Sequence, residues 1–209
     1  MSDSTRPVLV LVGAPGAGKS TVGRVLGRRL GVPFTDVDSE IEARVGTTIA
    51  EMFTSRGEEA FRAVEREVVA ELLATGCGVL ALGGGSVLAE STRARLAGHR
   101  VVHLKVGLAD GIRRTGMSTA RPLLAGVNPR ATFRALLEAR APLYESVATV
   151  EIDTVKRSAN QVASAVLTAL GLEGEAAPAA EPRPGDPDDE ITPSADAPLP
   201  DPVFGRPGS

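Results

Sequence analysis

Short apolar runs punctuate this chain, and the stretches between them carry apolar positions at helical spacing. Val8 to Val12 is a continuous β-branched and leucine run that stops at a glycine-rich turn. It is too short for a buried helix and predicts a central parallel strand. From Ser20 to Leu30 the apolar positions Val22, Val25, Leu26 and Leu30 recur three and four apart, and Gly31 stands where a helix stops. A second strand is expected over Val32 to Val37, then a long amphipathic stretch from about Ile49 to Leu73 with Phe53, Phe61, Val64, Val68 and Leu72 on one face. Val79 to Leu82, Val101 to Val106 and Val147 to Ile152 read as three more buried strands. Strands alternating with helices predict an α/β fold: a five-stranded parallel sheet covered on both faces, right-handed crossovers, and ligands at the carboxyl ends of the strands. Residues 115–128 (TGMSTARPLLAGVN) break the alternation with two glycines, a proline and an arginine, the composition of a lid or of a plain surface connection.

Composition bounds the answer further. At 209 residues, 43% hydrophobic and 23% charged, the chain can bury one sizeable core. Nine of the fifteen prolines fall in residues 173–209, where nine acidic groups face two arginines and no periodic apolar pattern remains. Such a tail cannot bury enough surface to offset its ordering entropy, so it is expected to be disordered, with the folded domain in residues 1–172. The tail carries a charge of −7 against a total of −3, which leaves the first 172 residues at +4. That mild excess suits an anionic small ligand and is too weak to argue for nucleic acid. Trp is absent and the chain has five Phe and one Tyr, so the core must be aliphatic and a base-stacking platform is not expected. A single cysteine, Cys77, cannot form an internal disulfide or a thiolate zinc site. The sequence shows no bilayer-length apolar run, and MSDSTRP lacks the features of a secretory signal, so a cytosolic protein without membrane partners is expected.

The sharpest chemical signal is Gly13 to Ser20, GAPGAGKS, which matches GxxxxGKS between a predicted strand and a predicted helix. Glycines there let backbone N–H groups turn around phosphate oxygens, the helix start adds partial positive charge, and Lys19 adds a point charge. Ser20 is placed to ligate Mg²⁺. Gly16, Ala17, Gly18, Lys19, Ser20 and Thr21 are therefore the candidate nucleotide-binding residues. The loop alone leaves a GTPase switch, a motor ATPase and a small-molecule kinase open. The missing NKxD motif, the modest length and the candidate lid lean toward the kinase.

Other positions are weaker when taken singly. Asp36 and Asp38 stand two apart at a strand end and share a face if the strand continues through both; a helix cap and turn is the plainer reading. Arg62 in GEEAFRAVE can pair with Glu58 or Glu65 on a helix surface. Gly83, Gly84 and Gly85 permit close approach of a ligand or merely a sharp turn. Arg140 precedes Pro142, which can kink a helix and redirect the arginine. His103 and Cys77 are expected to be structural.

Taken in order, GAPGAGKST, DVDSEIE, GEEAFRAVE, LGGGSV, RRTGMSTARPLL and RAPLY closely resemble shikimate kinase over nearly all of residues 6–171. The resemblance implies a three-layer P-loop fold of the nucleoside-monophosphate-kinase type. The activity it implies is ATP-dependent phosphorylation of the shikimate 3-hydroxyl, a step toward chorismate and the aromatic amino acids, by a monomer using ATP and Mg²⁺. It further implies that Lys19 binds phosphate, that Ser20 ligates the metal with help from Asp36, and that Asp38 contacts the acceptor hydroxyls and acts as base. Arg62 and Arg140 match a clamp on the substrate carboxylate, a task suited to a planar fork. Gly83, Gly84 and Gly85 match a turn that offers N–H groups to the substrate. Arg121 matches a lid arginine that reaches the phosphates, while Arg114 and Arg157 match residues flanking adenine. The competing readings are a related kinase of another hydroxy acid such as gluconate, and a nucleotide switch with no acceptor.

Overall fold

Strand β1, Leu9–Val12, is buried at every position, as a run without polar residues must be when helices cover both of its faces. The computed structural model describes residues 7–115 and 128–175. Around β1 lie β2 (Phe34–Asp36), β3 (Val79–Ala81), β4 (Val101–Lys105) and β5 (Val150–Asp153), all parallel, in the order β2-β3-β1-β4-β5. Strand alternation then sorts the core into two layers. Leu9 and Leu11 pack with Val22, Val25 and Leu26 of α1 (Lys19–Leu30) and with Val162, Val166 and Leu167 of α7 (Ala159–Leu170). Val10 and Val12 face the other way, toward Ile41 of α2 (Val37–Val45), Phe61 and Val68 of α3 (Ile49–Thr75), Leu96 of α4 (Glu90–Leu96) and Tyr144 of α6 (Pro129–Val147). The remaining helix, α5 (Leu108–Thr115), packs Gly111 close against the Phe133 ring of α6. On either side of β1 the chain winds in opposite directions, so its carboxyl end is a topological switch point, where α/β sheets bind ligands.

Three expectations change in detail. The second strand ends at Asp36, and Val37 already belongs to α2, so Asp36 and Asp38 do not share a strand face. The reason is local: the Asp36 carboxylate accepts the Asp38 N–H at 3.0 Å and caps the new helix. The long amphipathic stretch is two helical segments meeting at Gly57, whose φ of 80° and ψ of 170° no helix contains. Helix α6 continues through Pro142 and ends at Val147, so the fifth strand begins only at Val150. Leu172, the last residue of the expected domain, is buried, and a 3₁₀ turn, Glu173–Glu175, follows it with Glu173 and Gly174 exposed and Thr168 Oγ1 donating to Glu173 Oε1 at 2.5 Å. The rest of the acidic tail and nearly all of the expected lid lie outside the described residues.

Candidate active site

The glycine-rich loop closes between β1 and α1 as its pattern predicts. Gly13, Gly16 and Gly18 all have positive φ, and Gly18 forms the amino-terminal cap of α1. A side chain at Gly16 would run into the Gly111 carbonyl oxygen, 2.8 Å from where its Cβ would stand, so α5 seals the back of the loop. Lys19 is the first residue of α1, and its Nζ donates to the carbonyls of Gly13 at 2.9 Å and Ala14 at 3.3 Å. The ammonium is thereby held over the loop. Next to it, Ser20 Oγ donates to Asp36 Oδ2 at 2.5 Å. A hydroxyl and a carboxylate at the start of a phosphate-binding helix are hard oxygen donors. They fit Mg²⁺, which typically takes one or two protein oxygens and completes its shell with water and substrate phosphate. Among the described residues there is no cluster of three or more His, Cys, Asp or Glu side chains that could hold a metal alone.

Asp36 thus uses both carboxylate oxygens, one toward Ser20 and one as the cap of α2, and the cap places Asp38 in the first turn of that helix. From there Asp38 meets the turn after β3. An imagined Cβ on Gly83 would lie 2.6 Å from Asp38 Oδ1, 2.8 Å from Glu65 Oε1 and 3.2 Å from Ser86 Oγ. One on Gly84 would lie 3.0 Å from the ring of Pro15 in the phosphate loop, and one on Gly85 would fall 2.5 Å from the Arg62 guanidinium. Each glycine therefore leaves room for a different neighbour. The three together are the point at which the acid of α2, the arginine of α3 and the nucleotide loop converge.

Arg62 is braced before any ligand arrives. Its Nη1 donates to Glu65 Oε2 at 2.7 Å, while Nε and Nη2 donate to Glu58 Oε1 at 3.3 and 3.2 Å. Both carboxylate partners expected from helix spacing are thus engaged at once. Glu65 is buried, and its other oxygen accepts the Ser86 hydroxyl at 2.7 Å, so the carboxylate is fully directed. These bonds use one N–H on each guanidinium nitrogen, and each terminal nitrogen of Arg62 carries a second. Arg140 reaches the same turn from α6, its Nη1 donating to the Gly84 carbonyl at 2.9 Å. It does so from a helix that continues past Pro142.

Two of the three outlying arginines are described. Arg114, at the end of α5, is buried; it donates to Thr154 Oγ1 and to the Thr154 carbonyl, both at 3.1 Å, and to the Gly16 carbonyl at 3.4 Å. Burial pulls its pKa down, with Asp110 opposing the shift. It ties the phosphate loop to the turn after β5, and Arg157, exposed, lies in that same turn with its backbone N–H on the Thr154 carbonyl. The pair is thus brought to one side of the loop, Arg114 bonded to backbone and Arg157 at the surface. Arg121 lies outside the described residues. His103 is buried on β4, in register with Val12, with Nδ1 2.8 Å from Glu151 Oε1, a partnered histidine, and Cys77 is an exposed free thiol. Ser86, Pro15, Thr154 and Tyr144 stand among the candidate site residues without having been singled out. Tyr144 had a usable signal, standing four residues after Arg140 and hence on the same helix face. Thr154 had none.

With this geometry in view, the comparisons are consistent with one another. The shikimate kinase family model matches residues 15–171. A shikimate kinase of Thermobifida fusca is 55% identical over 172 residues, covering 82% of this chain and 99% of the relative. One from Saccharopolyspora erythraea is 64% identical over 148 residues, or 71% of this chain and 85% of the relative. Among solved structures, shikimate kinase from Acinetobacter baumannii in complex with shikimate matches with a TM-score of 0.77 at 38% identity, over 80% of this chain and 94% of that one.

Proposed function

The chain belongs to the shikimate kinase family and is an ATP-dependent kinase of shikimate; we propose that its transfer is carried out by the residues gathered on the turn Gly83 to Gly85. In this reading the amides of Gly16, Ala17, Gly18, Ser20 and Thr21, with Lys19, bind the ATP phosphates, and Ser20 and Asp36 hold Mg²⁺. The ion, when bound, neutralises charge on the outer phosphates. Arg62 and Arg140 grip the acceptor's carboxylate, and the N–H groups of the glycine turn face its ring. Asp38 accepts the proton of the attacking 3-hydroxyl. Arg121 adds positive charge from residues 116–127, while Arg114 and Arg157 border the base of the nucleotide.

The observation that supports this reading best is the convergence on three consecutive glycines: Asp38 at Gly83, Pro15 of the nucleotide loop and Arg140 at Gly84, and Arg62 at Gly85. A nucleotide switch has no need of a base and two arginines at one backbone turn. Phosphoryl transfer to an acidic acceptor needs all three, because its catalysis is mostly positioning and charge stabilisation. We also propose that the reaction takes place in the cytosol. Among the described residues no helix is long and apolar enough to cross a membrane, and the single cysteine forms no disulfide.

The test is ATP turnover with a panel of hydroxy acids, run on the parent and on Arg62→Ala and Arg140→Ala. Shikimate should be the preferred acceptor. Each variant should lose about 2 to 5 kcal/mol of acceptor binding, as for truncation of one partner of a desolvated charge pair, while ATP affinity stays close to parental. Collapse of ATP affinity with acceptor affinity untouched would move the arginines to the nucleotide side.

A further inference from the structure

Tyr144 is the largest of the almost fully buried side chains, with its ring in the apolar layer shared by Val10 and Phe61. Packing alone does not call for tyrosine there, since phenylalanine fills the same space and a buried hydroxyl is costly unless it is bonded. The hydroxyl has a definite partner: it donates to the Gly84 carbonyl at 2.5 Å, the same oxygen that accepts Arg140 Nη1 at 2.9 Å. A carbonyl oxygen has two lone pairs, so these two donors, one helical turn apart on α6, saturate it. The peptide joining Gly84 to Gly85 is trans and planar, with its C=O and N–H pointing in opposite directions. Holding the carbonyl toward α6 therefore holds the Gly85 N–H on the side away from α6.

The ring itself is held from the sheet. His103 of β4 stacks on it, centroids 4.9 Å apart at 28°, and Glu151 of β5 sits 2.8 Å from His103 Nδ1. Burial pushes the imidazole down to its neutral form against the pull of Glu151, so Nδ1 donates to the carboxylate and the tautomer is set. Burial likewise pushes the Tyr144 phenol up to about 12, so its proton stays on the oxygen and points at Gly84.

We propose that Tyr144 is a positioning residue for the acceptor, acting through the Gly84 carbonyl to set both the 84–85 peptide plane and the direction of the Arg140 guanidinium. This rests on the reading that Arg140 and the glycine turn hold the acceptor. Tyr144→Phe keeps the ring and its stack on His103 and removes only the hydroxyl. Its KM for shikimate should rise about 5- to 20-fold, the range for losing one hydrogen bond to a buried carbonyl, with kcat and the KM for ATP within about twofold of parental. The amide resonance of Gly85 in the free enzyme should move, because its own peptide carbonyl has lost a donor. In an Arg140→Ala background the same change should add less than about twofold, since the two side chains share one carbonyl and also bond to each other. A KM for shikimate within about twofold of parental, a parallel rise in both KM values, or full additivity with Arg140→Ala would overturn the inference. If Arg140→Ala by itself leaves the shikimate KM unchanged, the reading of Arg140 fails first, and the inference falls with it for a distinguishable reason.

Discussion

Asp38 lies where it does because Asp36 turns the chain. One carboxylate caps the helix on which the other sits, and Gly83 leaves the space into which Asp38 projects. The two acids are visible in the sequence as a pair, and the plainer of its two readings, a helix cap and turn, is the one the structure bears out; a shared strand face required the strand to continue. A capping hydrogen bond of roughly 1 kcal/mol ends it instead, since Asp36 is better used as a helix cap than as a strand residue. The same residues supply a test at this scale. Asp38→Asn preserves shape and leaves the cap on Asp36 intact, so the variant should fold and bind ATP. Without a proton acceptor, single-turnover transfer at saturating shikimate and Mg·ATP should slow by ~10²- to 10⁴-fold. A rate within about threefold of parental would reject Asp38 as the base and leave positioning and phosphate electrostatics to carry the step.

Among the elements, α3 departs furthest from its pattern. Phe53 and Phe61 stand eight apart, in helical phase across Gly57, so the sequence reads as one amphipathic stretch although no apolar residue lies between Phe53 and Ala60; the structure bends there, with Thr48 and Glu51 forming a capping box at the start of the first segment. The bend lies five residues before Arg62 and contributes to bringing Phe61 into the core while Arg62 faces Gly85. Gly57 has a backbone conformation open in practice only to glycine, and nothing lies within 4 Å of where its Cβ would be. Gly57→Ala should therefore cost backbone strain alone, about 1 to 3 kcal/mol of unfolding free energy at an unchanged urea m-value. A loss below about 0.5 kcal/mol would show that the bend is not set by this residue. Helix α6 gives the opposite lesson. Pro142 is a helix breaker, yet the helix continues past it, and the exposure of Pro142 leaves the carbonyl one turn before it, which lacks the usual N–H partner, within reach of water.

At the scale of the molecule, charge is divided between a mildly basic domain and an acidic extension. Residues 176–209 carry seven acidic groups and two arginines with no apolar period, so we propose that they add nothing to the core. A chain ending at residue 175 keeps the Glu173 contact to Thr168 and the buried Leu172. It should melt within about 2 °C of the full chain and retain activity within about twofold, as measured by calorimetry and steady-state turnover. A drop of more than about 5 °C would mean that the extension packs against the domain.

The sequence by itself determined the alternating parallel fold, the strand–loop–helix unit and the nucleotide loop with Lys19 and Ser20. Those features depend on neighbours within a few residues, through side-chain period, glycine conformation and the geometry of a helix start. The family resemblance groups Asp38, Arg62 and Arg140 with Gly83 to Gly85, and helix spacing pairs Arg62 with Glu65; only the tertiary structure decided which glycine each side chain meets, that Pro15 joins them, that Ser86 fixes Glu65 from across the fold, and that Tyr144 holds Gly84. These residues come from separate elements, and their meeting follows from the sheet order β2-β3-β1-β4-β5 and from the rotation of each helix about its own axis. Both are set by close packing of the two apolar layers across long sequence separations, which no local pattern encodes.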